Sequence, residues 1–234
     1  MIYENVSVFN MTISYKDDYK ALKPTKWYTD ICVNVAIDLI KIKYPNEKIL
    51  CFSTYLYSSY EKDVKITEEK MWIQLLRWVK YYNADFFQKI EYIIFPMNKL
   101  NMHWLFCIFF MKSKKIVIYD SLGKGNPNDT TISTIINWFI KYLSKILPQK
   151  LPIKYTVEDF ENIEYTWDMS YPNQGNGYDC GPYTCYGIQQ FYNQPSDEPK
   201  FAFSKYDILQ EREKLRHIFK ELLRGKGHKN VLNV

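Results

Sequence analysis

The stretch of sequence best suited to chemistry is a glycine-rich turn that ends in a cysteine. Residues 174–183 read QGNGYDCGPY, and an apolar stripe with helical spacing follows Cys180. Pro182 suits the first turn of a helix, where no backbone N–H is needed, so the pattern predicts that Cys180 lies at a helix N-terminus. The unpaired amides and the dipole of a helix N-terminus favour the thiolate, which is the reactive form of cysteine. Cys180 is therefore a candidate nucleophile.

A thiol nucleophile needs a base within hydrogen-bond reach, and the base needs an acceptor that orients it. His103 precedes a run of eight apolar residues, and Asp120 follows the next apolar run along the chain. If the two runs are adjacent antiparallel strands, the start of one lies beside the end of the other. Asp120 could then accept from one imidazole nitrogen and leave the other facing the thiol. His217 and His228 lie in a charged helix and a polar tail, and are poorer candidates.

The same turn offers an oxyanion donor. Gln174 lies six residues before Cys180, and its amide could donate to a developing oxyanion together with the Cys180 backbone N–H. The glycines at 175, 177 and 181 are expected to allow positive φ angles and a close approach of a ligand to the backbone.

Each of these residues also has an ordinary structural interpretation. A single cysteine is usually a small buried apolar group, a single histidine a structural residue, and an aspartate after a strand a turn former. A glycine-rich turn alone could bind an anion. The combination of all four residue types favours one shared site.

Composition excludes several classes of protein. The chain of 234 residues is 47% hydrophobic, which is enough for one sizeable domain and argues against global disorder. The net charge of +5 is mildly basic, but no block of lysine and arginine is dense enough to argue for nucleic acid as a partner. An acidic protein surface fits the charge equally well. The longest apolar run has eight residues, so no insertion into a membrane is expected.

The five cysteines are an odd number, and no signal peptide precedes them, so we expect free thiols in a reducing intracellular compartment. The spacing Cys180-x4-Cys185 is a weak metal signal, and the three histidines are scattered. We therefore expect neither a metal nor another cofactor.

The elements that must position these residues alternate in type along the chain. No repeat or linker is visible, and the pattern predicts one α+β domain. We expect a short strand or arm over 1–26, then a helix from about Trp27 that is capped by Thr29 or Asp30 and stops near Pro45, and then a strand or buried loop over 49–57. Further helices are expected from Thr67, over 130–147, from Cys180 to Gln194, and over 206–223. Strands are expected over 92–95 (stopping at Pro96), 104–111, 115–119, 153–157 and 163–167.

Four segments together resemble a known family. They are Pro96-Met97-Asn98, His103-Trp104, Tyr119-Asp120-Ser121-Leu122 and the segment from Gln174 to Gly181. The chain resembles the ubiquitin-like protein proteases, the SUMO (sentrin) deconjugase family of cysteine peptidases, from about Trp27 to Leu223. The resemblance implies an α+β, papain-like cysteine-protease fold of the adenain/SUMO-protease type, in which a central mixed sheet is packed with helices.

The resemblance also implies roles for individual residues. His103 would be the general base and acid, Asp120 its orienting partner, Cys180 the nucleophile and Gln174 the oxyanion donor.

Further positions of the family motifs would bind substrate. Trp27 and Trp104 match the two tryptophans that sandwich the Gly-Gly tail of the substrate in this family. Asp30 closes the segment Trp27-Tyr28-Thr29-Asp30, which resembles the family's Trp-Leu-Asn-Asp, and Gly177 would keep the floor of the tail channel low. Tyr28 and Thr29 depart from the family pattern, as does Pro182 after Cys-Gly.

The implied activity is hydrolysis of the bond after the C-terminal Gly-Gly of SUMO, in a precursor or in an isopeptide to a target lysine. The alternatives are a protease for another modifier of the Nedd type and a non-catalytic binder of ubiquitin-like proteins. The expected partners are SUMO or a related modifier and its conjugates, and the protein is expected to be a monomer. The expected units are an arm (1–26), a catalytic domain (27–224) and a polar tail (225–234). The resemblance implies the nucleus or nuclear envelope, with the cytoplasm as the other location.

Overall fold

The computed structural model describes residues 2–61, 88–123 and 163–226. Four expected features lie outside these ranges: the helix from Thr67, the helix over 130–147, the strand over 153–157, and the tail beyond residue 226 with His228. They stay predictions.

The N-terminal segment folds against the domain as a small hairpin. Strands β1 (Asn5–Val8) and β2 (Met11–Ser14) are antiparallel, and one π-helical turn (Tyr15–Tyr19) follows. The buried carboxylate of Asp18 accepts a hydrogen bond from the Thr29 hydroxyl at 2.7 Å. The expected strand or arm is thus two strands and a turn, tied by Asp18 to the start of the first long helix.

Helix α1 (Asp30–Lys43) begins and ends where the sequence predicts. Thr29 caps it, since its hydroxyl accepts from the backbone N–H of Cys32 at 3.2 Å. The segment expected to be a strand or buried loop is a strand, β3 (Ile49–Cys51), followed by a helix, α2 (Thr54–Glu61).

A five-stranded mixed sheet forms the centre of the domain. Its order is β3-β4-β5-β6-β7, and the two outer pairs are parallel while the inner pairs are antiparallel. The four further strands are β4 (Tyr92–Lys99), β5 (His103–Phe110), β6 (Lys115–Tyr119) and β7 (Glu164–Trp167). The α+β prediction is therefore confirmed.

The β5–β6 hairpin carries the site. Phe106 lies opposite Tyr119 in antiparallel register, as predicted. Neighbouring strand residues point to opposite faces, and both Phe106 and Cys107 are fully buried, so β5 is covered on both faces. Since the register continues at the strand ends, His103 and Asp120 emerge at the same edge of the sheet.

The prediction that β4 stops at Pro96 is wrong, because the strand continues through Pro96 to Lys99. Proline has no backbone N–H, so a strand tolerates it where no neighbouring strand needs a hydrogen bond from that position. The parallel pairing of β3 with β4 ends at Ile94, and beyond it β3 provides no partner on that side of β4.

Two long helices complete the described part of the domain. Helix α3 (Cys180–Asn193) packs against β5 on one side and α1 on the other. Helix α4 (Lys205–Leu222) packs on α3 and starts with a capping box formed by Ser204 and Asp207.

Candidate active site

The candidate nucleophile is the first residue of helix α3, as predicted. Cys180 is 3% exposed, and Asp179 occupies the N-cap position. The Asp179 carboxylate makes no capping bond to the helix; it accepts instead from Arg212 Nη2 and Asn176 Nδ2, both at 2.7 Å. Since no side chain caps α3, its first amides remain available to a negative charge at the thiol or on a substrate oxygen.

The candidate base and its acceptor are in direct contact. His103 Nε2 lies 2.6 Å from Asp120 Oδ1, and the same oxygen accepts from the Leu122 backbone N–H at 2.8 Å. The Cys180 side chain also interacts with the imidazole and favours its charged form. Since Nε2 contacts Asp120, the ring is oriented with Nδ1 as the nitrogen for the thiol.

The electrostatics of His103 favour its charged form. Burial lowers the pKa of the imidazole, but the hydrogen bonds to Asp120 and Cys180 and the charges on these two groups outweigh it and raise the pKa from 6.5 to about 9. Near neutral pH the imidazole is therefore protonated and can donate a proton to a leaving group.

The candidate oxyanion donor is buried and held at both ends of its amide. Gln174 is 1% exposed, its Oε1 accepts from the Ser121 hydroxyl at 2.7 Å, and its Nε2 donates to the Asn176 carbonyl oxygen. The backbone N–H of Gln174 also donates to the Ser121 carbonyl oxygen at 2.8 Å. These contacts orient the amide and leave the second Nε2 hydrogen for another acceptor.

The three glycines of the turn differ from one another. Positive φ occurs only at Gly175 (64°), so the expectation of positive φ fails at the other two. Gly181 is needed for packing, since a Cβ there would lie 2.7 Å from Tyr28 Cβ. A Cβ at Gly177 would meet nothing within 4 Å, which leaves open space above the middle of the turn.

The two tryptophans expected to contact substrate lie in different environments. Trp27 is 51% exposed, and its indole Nε1 donates to the Gly177 carbonyl oxygen at 2.7 Å. Trp104 is 2% exposed, and its Nε1 donates to the Tyr28 carbonyl oxygen at 3.0 Å. Both rings are thus anchored around the segment before α1, one at the surface beside the turn and one beneath the surface.

Asp30 is the candidate that the structure does not bring into this group. Its carboxylate accepts from the Thr54 hydroxyl at 2.9 Å, and Thr54 is bonded in turn to Asn34. This network joins the starts of α1 and α2.

Sequence reasoning missed Arg212, which is 1% exposed. Its guanidinium donates to the carbonyl oxygens of Lys23 (3.1 Å) and Lys26 (3.0 Å) as well as to the Asp179 carboxylate, and it lies over the Tyr28 ring. The signal that could have found it is its position on the apolar stripe of α4, where every other member is apolar: Ile208, Leu215, Phe219 and Leu222.

The other cysteines of the chain are in environments that suppress reactivity. All five are free and buried. Burial raises the pKa of the Cys32 and Cys51 thiols to about 12, and it raises the pKa of Cys107 and Cys185 further still. Cys180 alone among the five interacts with a histidine, His103.

Neither a metal site nor a membrane-spanning helix is present within residues 2–61, 88–123 and 163–226. No group of three histidine, cysteine or acidic residues there could hold a metal ion. None of the helices in those ranges has the length and apolar character needed to cross a bilayer.

Comparison with known proteins gives a consistent result. The model of the Ulp1 protease family, C-terminal catalytic domain, matches residues 26–225. Ubiquitin-like-specific protease 1 of Saccharomyces cerevisiae is 28% identical over 210 residues, which cover 89% of this chain and 30% of that protein. The chain thus spans about a third of the length of that relative.

Solved structures show the same fold. The SUMO protease Ulp1 with its catalytic cysteine oxidised to a sulfinic acid superposes with a TM-score of 0.70 at 23% identity, covering 98% of this chain and 89% of that one. The C-terminal Ulp1 protease domain in complex with Smt3, the yeast orthologue of SUMO, gives 0.68 at 24% identity, covering 94% and 90%. The fold expected from the sequence is confirmed.

Proposed function

Because the chain belongs to the Ulp1 protease family, we propose that it is a cysteine peptidase that hydrolyses the bond after the C-terminal Gly-Gly of SUMO or a closely related modifier. The observation that carries the proposal is the contact of His103 with both Asp120 and Cys180 at the start of α3. The relative from Saccharomyces cerevisiae and the complex with Smt3 support SUMO as the modifier.

The first chemical step is attack of the Cys180 thiolate on the carbonyl carbon of the last glycine. The proton of the thiol is held on His103, whose charged form is favoured by Asp120. The carbonyl oxygen becomes negative, and we assign the Cys180 backbone N–H and Gln174 Nε2 as its two hydrogen-bond donors. Such preorganised donors stabilise the tetrahedral intermediate.

Collapse of the intermediate breaks the bond to the leaving amine. His103 donates its proton to that nitrogen, which is a lysine ε-amine in a conjugate or an α-amine in a precursor. The thioester on Cys180 remains. The neutral imidazole then takes one proton from water, and the hydroxide attacks the thioester. The thiolate leaves, the imidazolium is restored, and the carboxylic acid of the modifier releases its proton to solvent.

The tail of the modifier needs a narrow path to the thiol. Gly177 leaves open space on the turn, and the exposed Trp27 ring lies beside it. We infer that the tail displaces the bond between Trp27 Nε1 and the Gly177 carbonyl oxygen, and that Trp104, which is 2% exposed, lies beneath the tail and not on the open surface. We place Asp30 further out, at the start of α1, as a contact for the body of the modifier.

Two broader features belong to the same proposal. The match over residues 26–225 supports a catalytic domain at 27–224, with an N-terminal arm before it and a polar tail after it. Family membership supports action on SUMO conjugates in the nucleus or at the nuclear envelope, which localisation of a fluorescent fusion tests.

The deciding experiment uses modifiers whose C-terminal glycine carries an electrophile. The purified chain and its Cys180→Ala variant are incubated with SUMO, Nedd-type and ubiquitin probes, and covalent adducts are read by mass. We expect the SUMO probe to label the wild-type chain on Cys180 and to leave the variant unlabelled. Binding of SUMO without an adduct would show that the chain is a non-catalytic binder. Preferential labelling by the Nedd-type probe would show that the substrate is a Nedd-type modifier and not SUMO.

A further inference from the structure

Ser121 makes two hydrogen bonds to Gln174, the candidate oxyanion donor. Ser121 is buried, and its hydroxyl donates to Gln174 Oε1 at 2.7 Å. Its carbonyl oxygen accepts from the Gln174 backbone N–H at 2.8 Å. Ser121 also directly follows Asp120, which contacts His103. Two adjacent residues at the end of β6 therefore contact the base and the oxyanion donor.

The orientation of the Gln174 amide matters because its two ends have opposite chemistry. Only Nε2 can donate to an oxyanion, whereas Oε1 would repel it. The Asn176 carbonyl oxygen is an acceptor only, so it selects Nε2 as its partner. The Ser121 hydroxyl completes the arrangement by donating to Oε1, and it prevents the side chain from swinging away from the turn.

We propose that Ser121 is a positioning residue for the oxyanion donor: its hydroxyl holds the Gln174 amide so that the second Nε2 hydrogen faces the substrate carbonyl. The inference rests on the proposed protease function. It assigns the Asp120-Ser121 pair one task in each half of the site, because Asp120 orients the imidazole and Ser121 orients the amide.

The test is a double-mutant cycle between Ser121 and Gln174. Ser121→Ala removes the hydroxyl and keeps the backbone bond to Gln174. Loss of one ordinary hydrogen bond predicts a kcat lower by about 10-fold, with KM within about twofold of wild type. Gln174→Ala, which removes the donor itself, should lower kcat by about 100-fold or more. Once the amide is gone, Ser121→Ala should have no further effect on kcat.

Controls separate positioning from a general loss of structure. Ser113→Ala removes a serine hydroxyl from the turn at the opposite end of the β5–β6 hairpin and should leave kcat unchanged. The basic limb of the pH profile, which reports His103, should stay in place in Ser121→Ala because the contact between His103 and Asp120 is kept. If Ser121→Ala does not fold, Ser121→Cys adds little volume, keeps a weaker donor and should show a kcat between those of the wild type and Gln174→Ala.

The outcomes distinguish failure of the protease function from failure of the positioning role of Ser121. A wild-type chain without Cys180-dependent turnover refutes the protease function and the role of Ser121 with it. If the wild type is active, additive losses in the double mutant, or a shift of the basic limb in Ser121→Ala, overturn the positioning role alone. A kcat for Ser121→Ala equal to that of Ser113→Ala overturns it as well.

Discussion

Replacing Arg212 with methionine should both destabilise the domain and weaken substrate binding. The methionine keeps an apolar stem of similar length and removes the guanidinium. That group donates to two carbonyl oxygens of the segment before Trp27, to the Tyr178 carbonyl oxygen and to the Asp179 carboxylate. It therefore joins α4 to both walls of the proposed tail channel, which are the segment that carries Trp27 and the turn that carries Gly177.

The magnitude follows from what the substitution leaves unpaired. Removing one partner of a buried ion pair costs about 3–5 kcal/mol of unfolding free energy, because the remaining charge is buried without compensation. The side chain of Asp179 is 15% exposed and keeps its bond from Asn176, which places the expected cost near the lower end, at about 3 kcal/mol. The free energy of unfolding of a native protein is roughly 5–15 kcal/mol in total, so the variant should still fold at low temperature.

Urea unfolding of Arg212→Met and of Arg216→Met measures this cost. Arg216 lies one turn further along α4, and its ion pair with Glu213 is partly exposed, so the control should lose about 1 kcal/mol or less. Asp179→Asn should recover part of the loss in the Arg212→Met background, since it removes the unpaired charge. In steady-state kinetics on a SUMO precursor, KM should rise more than kcat falls. Equal free energies of unfolding for the two arginine variants would refute the reasoning.

Three further predictions address the thiol, the base and the channel. Brief alkylation with iodoacetamide near neutral pH should modify Cys180 alone, because burial raises the pKa of the other four thiols; peptide mass mapping checks this, and equal labelling elsewhere contradicts it. The raised pKa of His103 predicts stabilisation that is complete below about pH 6.5 and lost as the pH rises through about 9, worth roughly 3 kcal/mol. Urea unfolding across that range should show the loss in wild type and a flatter profile in Asp120→Asn. Trp27→Ala should raise KM for a modifier by about 10-fold with little change in kcat, and an unchanged KM would exclude the ring from the channel.

The contact between His103 and Asp120 could be predicted because it depends on strand geometry. Two apolar runs separated by a short charged turn specify an antiparallel hairpin, and a hairpin brings the start of one strand to the end of the next. The helix N-terminus at Cys180 could be predicted equally well, because Pro182 and the apolar stripe mark where α3 begins.

The supporting contacts could not be predicted, because they join side chains to groups far away in sequence. Arg212 donates to carbonyl oxygens 186 and 189 residues away, and the Ser121 hydroxyl bonds to a residue 53 positions on. Local periodicity does not report such distances. The continuation of β4 through Pro96 was missed for a related reason, since whether a strand tolerates proline depends on the length of the neighbouring strand β3.

The glycine-rich turn shows how a flexible sequence can be held in one geometry. A segment with glycines at 175 and 177 has little stiffness of its own, yet a site of this kind needs its groups held within about 0.5 Å. Ser121 holds the turn at Gln174 from the sheet, and Arg212 holds it at Asp179 from α4. The two ties lie at the ends of the turn, and the open space at Gly177 lies between them. The two ties thus hold the turn at both of its ends, while in the proposed reaction a glycine tail would use the open space at Gly177 once the bond from Trp27 has opened.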